Sequence, residues 1–252
     1  MRYLPLTNDD REEMKKAIGI SDINEMFTSV PKEVSLDPKF NLPSHKTEME
    51  VGKILSEIAN KNLNSNQVPF FLGAGAYKHH IPATVDHIIQ RSEFLTSYTP
   101  YQPEISQGTL QYLFEFQTQV SLITGMDVSN ASMYDGSTST AEAVSMAKRI
   151  TKRDKVILSP TLHPQYAEVI NTLISSNEDE VDYKFSEEFE IDKLISKIDD
   201  SVSCVVVQNP DFFGSCHSLE QLAEYTHSKG ALLIVVVNEI ISLGIMKSPG
   251  EM

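Results

Sequence analysis

The stretch VSCVVVQNPDFFGSCHSLEQLAEYTHSKGALLIVVV, residues 202–237, decides the fold. Val202 to Gln208 is apolar through its middle with no polar alternation, the pattern of a strand covered on both faces, as in parallel sheets. Leu219 to Ser228 has helical spacing and is stopped by Gly230. Ala231 to Val237 is a second continuous apolar strand. Upstream, Lys155 to Ser159 reads as a short strand and Pro164 to Ser175 as a helix. Asn177 to Glu190 is an acidic, solvated connection with one weak strand, and Ile191 to Ile198 is a helix. Asp135-Gly136-Ser137-Thr138 opens a helix running to about Ile150. Alternating helices and hydrophobic strands predict an α/β domain, a mostly parallel sheet with helices on both faces. The sequence given stops at Ser248 to Met252, just past a buried strand and without a closing helix. The expectation is therefore a partial large domain over 68–252, from a truncated chain or from a subunit completed by a partner.

Residues 1–67 read as an N-terminal helical segment and linker. Asn8 or Asp9 is expected to cap a helix through Ile18, and Ser21 to Phe27 is a second short helix. Pro31 to Pro43 is extended and punctuated by proline. Thr47 to Lys61 is amphipathic, with Val51, Ile54, Leu55 and Ile58 on one stripe. Asn60, Asn62, Asn64, Ser65 and Asn66 form a linker. Further on, a helix is expected from about Ser106 to Thr124. Its Leu110, Leu113, Phe114 and Val120 face the core, and Gly125 is the stop.

Composition narrows the function classes. The 252 residues carry 35 acidic against 21 basic side chains, a net charge of −14. That argues against nucleic acid, whose phosphates call for a basic footprint. No apolar run approaches the roughly 18 residues of a membrane span. The N-terminus has no apolar signal core, so the expected location is the cytoplasm. Two cysteines make no disulfide framework and suit a reducing compartment. Cys204, inside an apolar run, is read as a buried small hydrophobe.

Four constellations have chemical potential. Asp135-Gly136-Ser137-Thr138 puts a glycine and two hydroxyls at a helix N-terminus, which suits a phosphate; the same residues also make an ordinary helix cap. No Gly-Lys-Ser/Thr follows, so it is not a P-loop. In Tyr98-Thr99-Pro100-Tyr101-Gln102-Pro103-Glu104 two prolines stiffen a backbone bearing two tyrosines, a glutamine and a carboxylate, with Gln107 following. The loop suits a binding site or a packed crossing. His163 sits at a strand's C-terminal end, where α/β sites form, or is a hydrogen-bonded loop histidine. Asn209, after the next strand, either points an amide into the crevice or belongs to a turn with Phe212 and Phe213. His79 and His80, adjacent on an extended segment, point to opposite faces, and no spacing matches a metal site.

Several segments together resemble one family. They are YLPLT near the start, FLGAGAYKHHIPATV at 71–85, the stretch RSEFLTSYTPYQPEISQGTLQYLFEFQTQVSLITGMDVSNASMYDGSTSTAEA at 91–143, VVVQNPDFFG at 205–214 and ISLGIMKSPGE at 241–251. They are similar to the two-subunit bacterial glycine dehydrogenase (decarboxylating) family, the P-protein of the glycine cleavage system, in its subunit 1 form. The resemblance covers the whole chain but only about the first half of that subunit. It implies a fold-type I pyridoxal-phosphate-dependent transferase-like domain. It also implies a reaction in which glycine loses CO2 and its aminomethyl group passes to the lipoyl arm of the H-protein. The cofactor, pyridoxal phosphate, is expected on a lysine of the partner, subunit 2, and not on this chain. The tyrosine loop (Tyr98, Thr99, Tyr101, Gln102, Glu104 and Gln107) is expected to serve the assembled active site. Gly136, Ser137 and Thr138 are the equivalent of the phosphate turn, and His163 and Asn209 are crevice candidates. No metal is expected. The sequence departs from active members at Asn238-Glu239, where an Asp would pair with the pyridinium nitrogen, and at Asp211, where Asn is expected. The resemblance therefore implies a non-catalytic partner that completes subunit 2. The alternatives are an inactive fragment and an independent α/β protein that binds a phosphate ligand.

Overall fold

The computed structural model describes residues 6–34, 42–174 and 180–252. They fall into two compact units, Met1–Asn62 and Leu63–Met252. In the first, helix α1 (Asn8–Ile18) is capped by Thr7 and not by Asn8 or Asp9. Thr7 and Asp10 close a reciprocal capping box: Asp10 N–H donates to Thr7 Oγ1 at 3.2 Å and Thr7 N–H to Asp10 Oδ2 at 2.8 Å. The expected second short helix forms over Ile23–Phe27 as a 3-10 helix. Of the extended segment expected over 31–43, residues 32–34 form a 3-10 turn and 35–41 lie outside the described residues. Helix α2 (Glu48–Ala59) repeats the capping box with Thr47 and Glu50. The stripe Val51, Ile54, Leu55 and Ile58 is exposed.

The second unit opens with α3 (Ala83–Ile89), α4 (Ser92–Leu95) and α5 (Gln107–Thr124). None of the three buries a residue. The expectation that α5 turns Leu110, Leu113, Phe114 and Val120 to a core is corrected: Phe114 is 70% exposed and the other three are only half-buried. The helical period is right, but no element among the described residues seals that face.

The expected α/β order follows: α6 (Gly136–Thr151), β1 (Lys155–Leu158), α7 (Pro164–Ile174), β2 (Glu180–Asp182), α8 (Ile191–Ile195), β3 (Val202–Gln208), α9 (Glu220–Ser228) and β4 (Leu232–Val236). The four strands pair in parallel in the order β2-β1-β3-β4. All seven residues of β3 are buried. Alternation along β3 divides the core. Cys204 and Val206 pack under α6 and α7 through Val144, Ala147 and Ile170. Val205 and Val207 pack under α8 and α9 through Leu194 and Leu222. Each such side chain contributes about 1.5–3 kcal/mol relative to exposure. At the N-terminal end of the sheet, Arg153 Nη1 donates to the Val202 and Lys229 carbonyls at 2.9 and 2.8 Å. Among the described residues no helix is long and apolar enough to cross a membrane.

The last residues dock on the end of α5. Gly125 closes α5 in the left-handed region, φ 70°. Gly250 N–H donates to the Thr124 carbonyl at 2.9 Å. Ser248 N–H and Oγ–H donate to Glu251 Oε2 at 2.8 and 2.9 Å and hold the turn. A Cβ on Gly250 would overlap the Gly125 carbonyl, so the two backbones lie directly against each other. Gly250→Ala must therefore separate them. The expected result is a loss of about 1–3 kcal/mol in denaturant unfolding, with faster amide exchange at position 250; unchanged exchange there would contradict the contact. A second outcome concerns the thiols. Burial pushes the Cys204 thiol up to about 12, whereas Cys216 is exposed. A thiol reagent at pH 8 is expected to titrate one group rapidly, Cys216, and the second only after unfolding.

Candidate functional site

The C-terminal ends of β1, β3 and β4 gather the chemistry-bearing side chains of the second unit. After β1 the chain turns through buried Ser159 and Thr161 to His163, which immediately precedes α7. His163 Nδ1 accepts from Gln165 N–H at 3.2 Å, which leaves the proton on Nε2. Its backbone N–H donates to Gln208 Oε1 at 2.9 Å. The imidazole lies 5.3 Å from the Tyr166 ring and 5.1 Å, edge-on, from Phe212. Burial lowers its pKa below the ordinary value, so the ring is neutral at pH 7. Gln208 is 1% exposed, and its Nε2 has no partner among the described residues.

Asn209 does not point into the crevice. Its Nδ2 donates to the His217 carbonyl at 2.8 Å and its Oδ1 accepts from His217 N–H at 3.0 Å, closing the 209–217 loop. Asp211, 2% exposed, anchors the same loop. Its Oδ1 accepts from Phe213 N–H at 3.0 Å and Ser215 N–H at 2.9 Å, and its Oδ2 from His217 Nε2–H at 2.9 Å. The His217 ring stacks on Phe189 at 4.1 Å. A carboxylate at 211 accepts from all three donors when His217 carries its proton on Nε2.

At 135–138 the structure shows the helix cap. Asp135 Oδ1 accepts from Thr138 N–H at 2.8 Å, Ser137 Oγ–H at 2.7 Å and Thr138 Oγ1–H at 3.1 Å. Those bonds, the Thr138 amide first, hold the Asp135 carboxyl below the usual carboxylate range. The Tyr166 hydroxyl lies so close over Gly136 that a Cβ there would overlap it. That hydroxyl donates to Asn238 Oδ1 at 3.2 Å. The residues present do not fit a pyridoxal phosphate. A carboxylate and a phenol hold the helix end, Asn238 is an amide engaged by Tyr166 where the resemblance leads one to expect an acid, and Lys78, on the neighbouring segment, donates to the Ser65 carbonyl.

The segment before α3 covers this edge. Gly73, Ala74 and Gly75 all have positive φ (70°, 54° and 80°), and Ala76 N–H donates to the Gly73 carbonyl at 2.9 Å. A Cβ on Gly75 would stand 3.1 Å from Asn238 Nδ2, so this tight loop sits against the end of β4. His79 Nε2–H donates to the Glu239 carboxylate at 2.9 and 3.1 Å. The pair opens on a cavity of about 620 Å³ walled by Phe70, Phe71, Tyr77 and Phe213. Among the described residues no group of three His, Cys, Asp or Glu side chains is placed to hold a metal ion.

The tyrosine loop stands apart from these contacts. Tyr98 and Tyr101 are 86% and 83% exposed. No side-chain hydrogen bond or ion pair engages Tyr98, Thr99, Tyr101, Gln102, Glu104 or Gln107 among the described residues, while backbone bonds from Tyr101, Ile105 and Ser106 hold the turn. His163 and the 135–138 turn thus come together through Tyr166, and the tyrosine loop does not join them. Tyr166, Gln208 and Asn238 were not singled out from the residues as crevice groups. Only their position just beyond strand ends, or one turn into the following helix, signals them.

A family model described as "Glycine cleavage system P-protein" matches residues 1–252. Over 252 residues the chain is 53% identical to the probable glycine dehydrogenase (decarboxylating) subunit 1 of Maricaulis maris (strain MCS10), covering 100% of this chain and 56% of that protein. The namesake of Erythrobacter litoralis (strain HTCC2594) is 57% identical over 256 residues, again 100% of this chain and 56% of its own length. A crystal structure of glycine decarboxylase (P-protein) of the glycine cleavage system, in inhibitor-bound form, superposes with a TM-score of 0.80 at 38% identity, over 99% of this chain and 56% of that one. The chain spans about half the length of the curated relatives it matches.

The Asp211 anchor yields a direct test. Asp211→Ala leaves two loop amides and the His217 ring without their acceptor, which is expected to destabilise the fold by about 2–4 kcal/mol. Urea unfolding measures it; a loss below 1 kcal/mol would show that the loop does not depend on that carboxylate.

Proposed function

Since the chain belongs to the glycine cleavage system P-protein family, we propose that it is the subunit 1 part of a glycine dehydrogenase (decarboxylating), a partner that completes the active site of a second subunit. In the assembled reaction glycine's carboxyl leaves as CO2. Its aminomethyl carbon bonds to one sulfur of the H-protein's lipoyl disulfide, and the other sulfur leaves as a thiol. Pyridoxal phosphate, when bound on a lysine of subunit 2, supplies the electron sink. The misfit at Asp135, Tyr166 and Asn238 supports its being held there and not here. The expected setting is cytoplasmic, which two free cysteines suit. A net charge of −14 keeps nucleic acid off the list of partners.

The observation that carries this reading is the tyrosine loop. Pro100 and Pro103 stiffen it, so its polar groups have little ordering entropy left to lose on binding. Its side chains find no hydrogen-bond or ion-pair partner among the described residues. Such loops, in fold-type I dimers, reach across the interface toward the partner's cofactor. Tyr101 and Glu104 are assigned to glycine or lipoyl-arm access on that basis.

The test is a complex reconstituted with subunit 2. Tyr101→Phe removes only the hydroxyl and is expected to lower glycine–CO2 exchange about tenfold or more, about 1.4 kcal/mol in the barrier, with assembly unchanged. Full exchange in that variant, or loss of assembly before loss of activity, would make the loop structural.

A further inference from the structure

The end of α6 presents an unusual combination of contacts. Helix N-termini attract anions through their unpaired N–H groups and dipole. Here the anion is internal: the Asp135 carboxylate takes the Thr138 amide and both neighbouring hydroxyls. The volume above the helix end is taken by the Tyr166 phenol, lying on the bare backbone of Gly136. Tyr166 is then tied to Asn238, and Asn238 lies against Gly75 of the positive-φ loop. His163 completes the wall, beside both Tyr166 and Gly75. Four segments distant in sequence are thus joined through one tyrosine.

We infer that Asp135 and Tyr166 fill, with the chain's own atoms, the helix end where the family's cofactor phosphate is expected, and that the Tyr166–Asn238 contact seats the Gly73–Ala76 loop. Tyr166 is a positioning residue in this assignment. It holds Asn238, which holds the loop, which carries Tyr77 and His79 to the edge of the sheet. The inference rests on the reading that the cofactor belongs to subunit 2, and it names what closes the crevice in this one. The two exclusions differ in kind. Asp135 opposes a phosphate by like charge, and Tyr166 by occupying its volume.

Pyridoxine 5′-phosphate is the suitable probe, because without an aldehyde it cannot bond to surface lysines. In calorimetry the 252-residue chain is expected to show no saturable binding. Asp135→Asn keeps an acceptor at the cap and removes the charge. Combined with Tyr166→Ala it is expected to raise affinity for the probe at least about tenfold, and Asp135→Asn alone gives a smaller gain that does not depend on the larger change folding well. Wild-type binding as tight as the variant's, or no gain in either variant, overturns the assignment. Tyr166→Phe keeps the ring and loses only the bond to Asn238. Amide exchange at Ala76, whose N–H closes the loop, is then expected to rise about tenfold; unchanged exchange overturns the seating role. Neither readout uses glycine exchange, so a failure here is distinguishable from a failure of the tyrosine-loop assignment.

Discussion

Strand β3 is the constraint on which the second unit depends. It is flanked by β1 and β4, and all seven of its residues are out of water. A strand buried on both faces demands helices on both sides, which α6 and α7 provide through one parity of its residues and α8 and α9 through the other. It also determines where chemistry can occur. Because its neighbours run parallel, the three strand ends emerge at one edge, bringing His163, Gln208 and Asn238 together. A one-residue slip would exchange the two faces and turn Gln208 away from His163.

The sheet was legible because its signal is one-dimensional. Val202 to Gln208 matches the observed strand at both ends, and Lys155, Pro164 and Ile191 start their elements as expected. The acidic connection also holds its one weak strand, Glu180–Asp182. Caps were harder to read. Thr7, Asn8 and Asp9 are all good capping types, and the choice of Thr7 rests on Asp10 lying three residues later to reciprocate. The side-chain roles at the strand ends were less legible still. Asn209 has the same amide whether it faces a ligand or clamps its own loop. The 209–217 loop has its anchors at both 211 and 217, and an eight-residue closure leaves no periodicity. Nothing in the sequence pattern sets Tyr166 apart on its helix. Its role follows from Gly136, thirty residues earlier, having no side chain.

In the inference drawn above, charge more than shape separates the two readings of residues 135–138. A cap and a phosphate turn use the same glycine, hydroxyls and amides. The difference is whether the anion is covalently attached. With Asp135 in place, the Thr138 amide and the Ser137 and Thr138 hydroxyls already have a carboxylate oxygen. A lone cap of this kind is worth about 1 kcal/mol to the helix, small beside the core. In that inference the same residue governs ligand choice, because a second anion at that distance would meet repulsion where it requires attraction.

The elements before the sheet show where sequence reasoning has no purchase. Among the described residues none before Thr140 is buried, although α2 and α5 carry apolar faces at helical spacing. Periodicity states which side of a helix is apolar and is silent on what covers it. In α5, Phe114, Leu122 and Ile123 are all exposed, yet the C-terminal end of the helix is well made: Gly125 terminates it, and the Ser248–Glu251 turn holds the Thr124 carbonyl through Gly250 N–H. An isolated helix would gain little from such an end lock, since helical stability comes chiefly from burying a face. Contiguous apolar surface of this kind on a protein marks an interaction surface. The tyrosine loop leads directly into that helix. Its stiff backbone and exposed side chains therefore continue a face that the described residues leave uncovered, and this is the physical reason to look for the loop's chemistry in an assembly and not within the crevice of its own sheet.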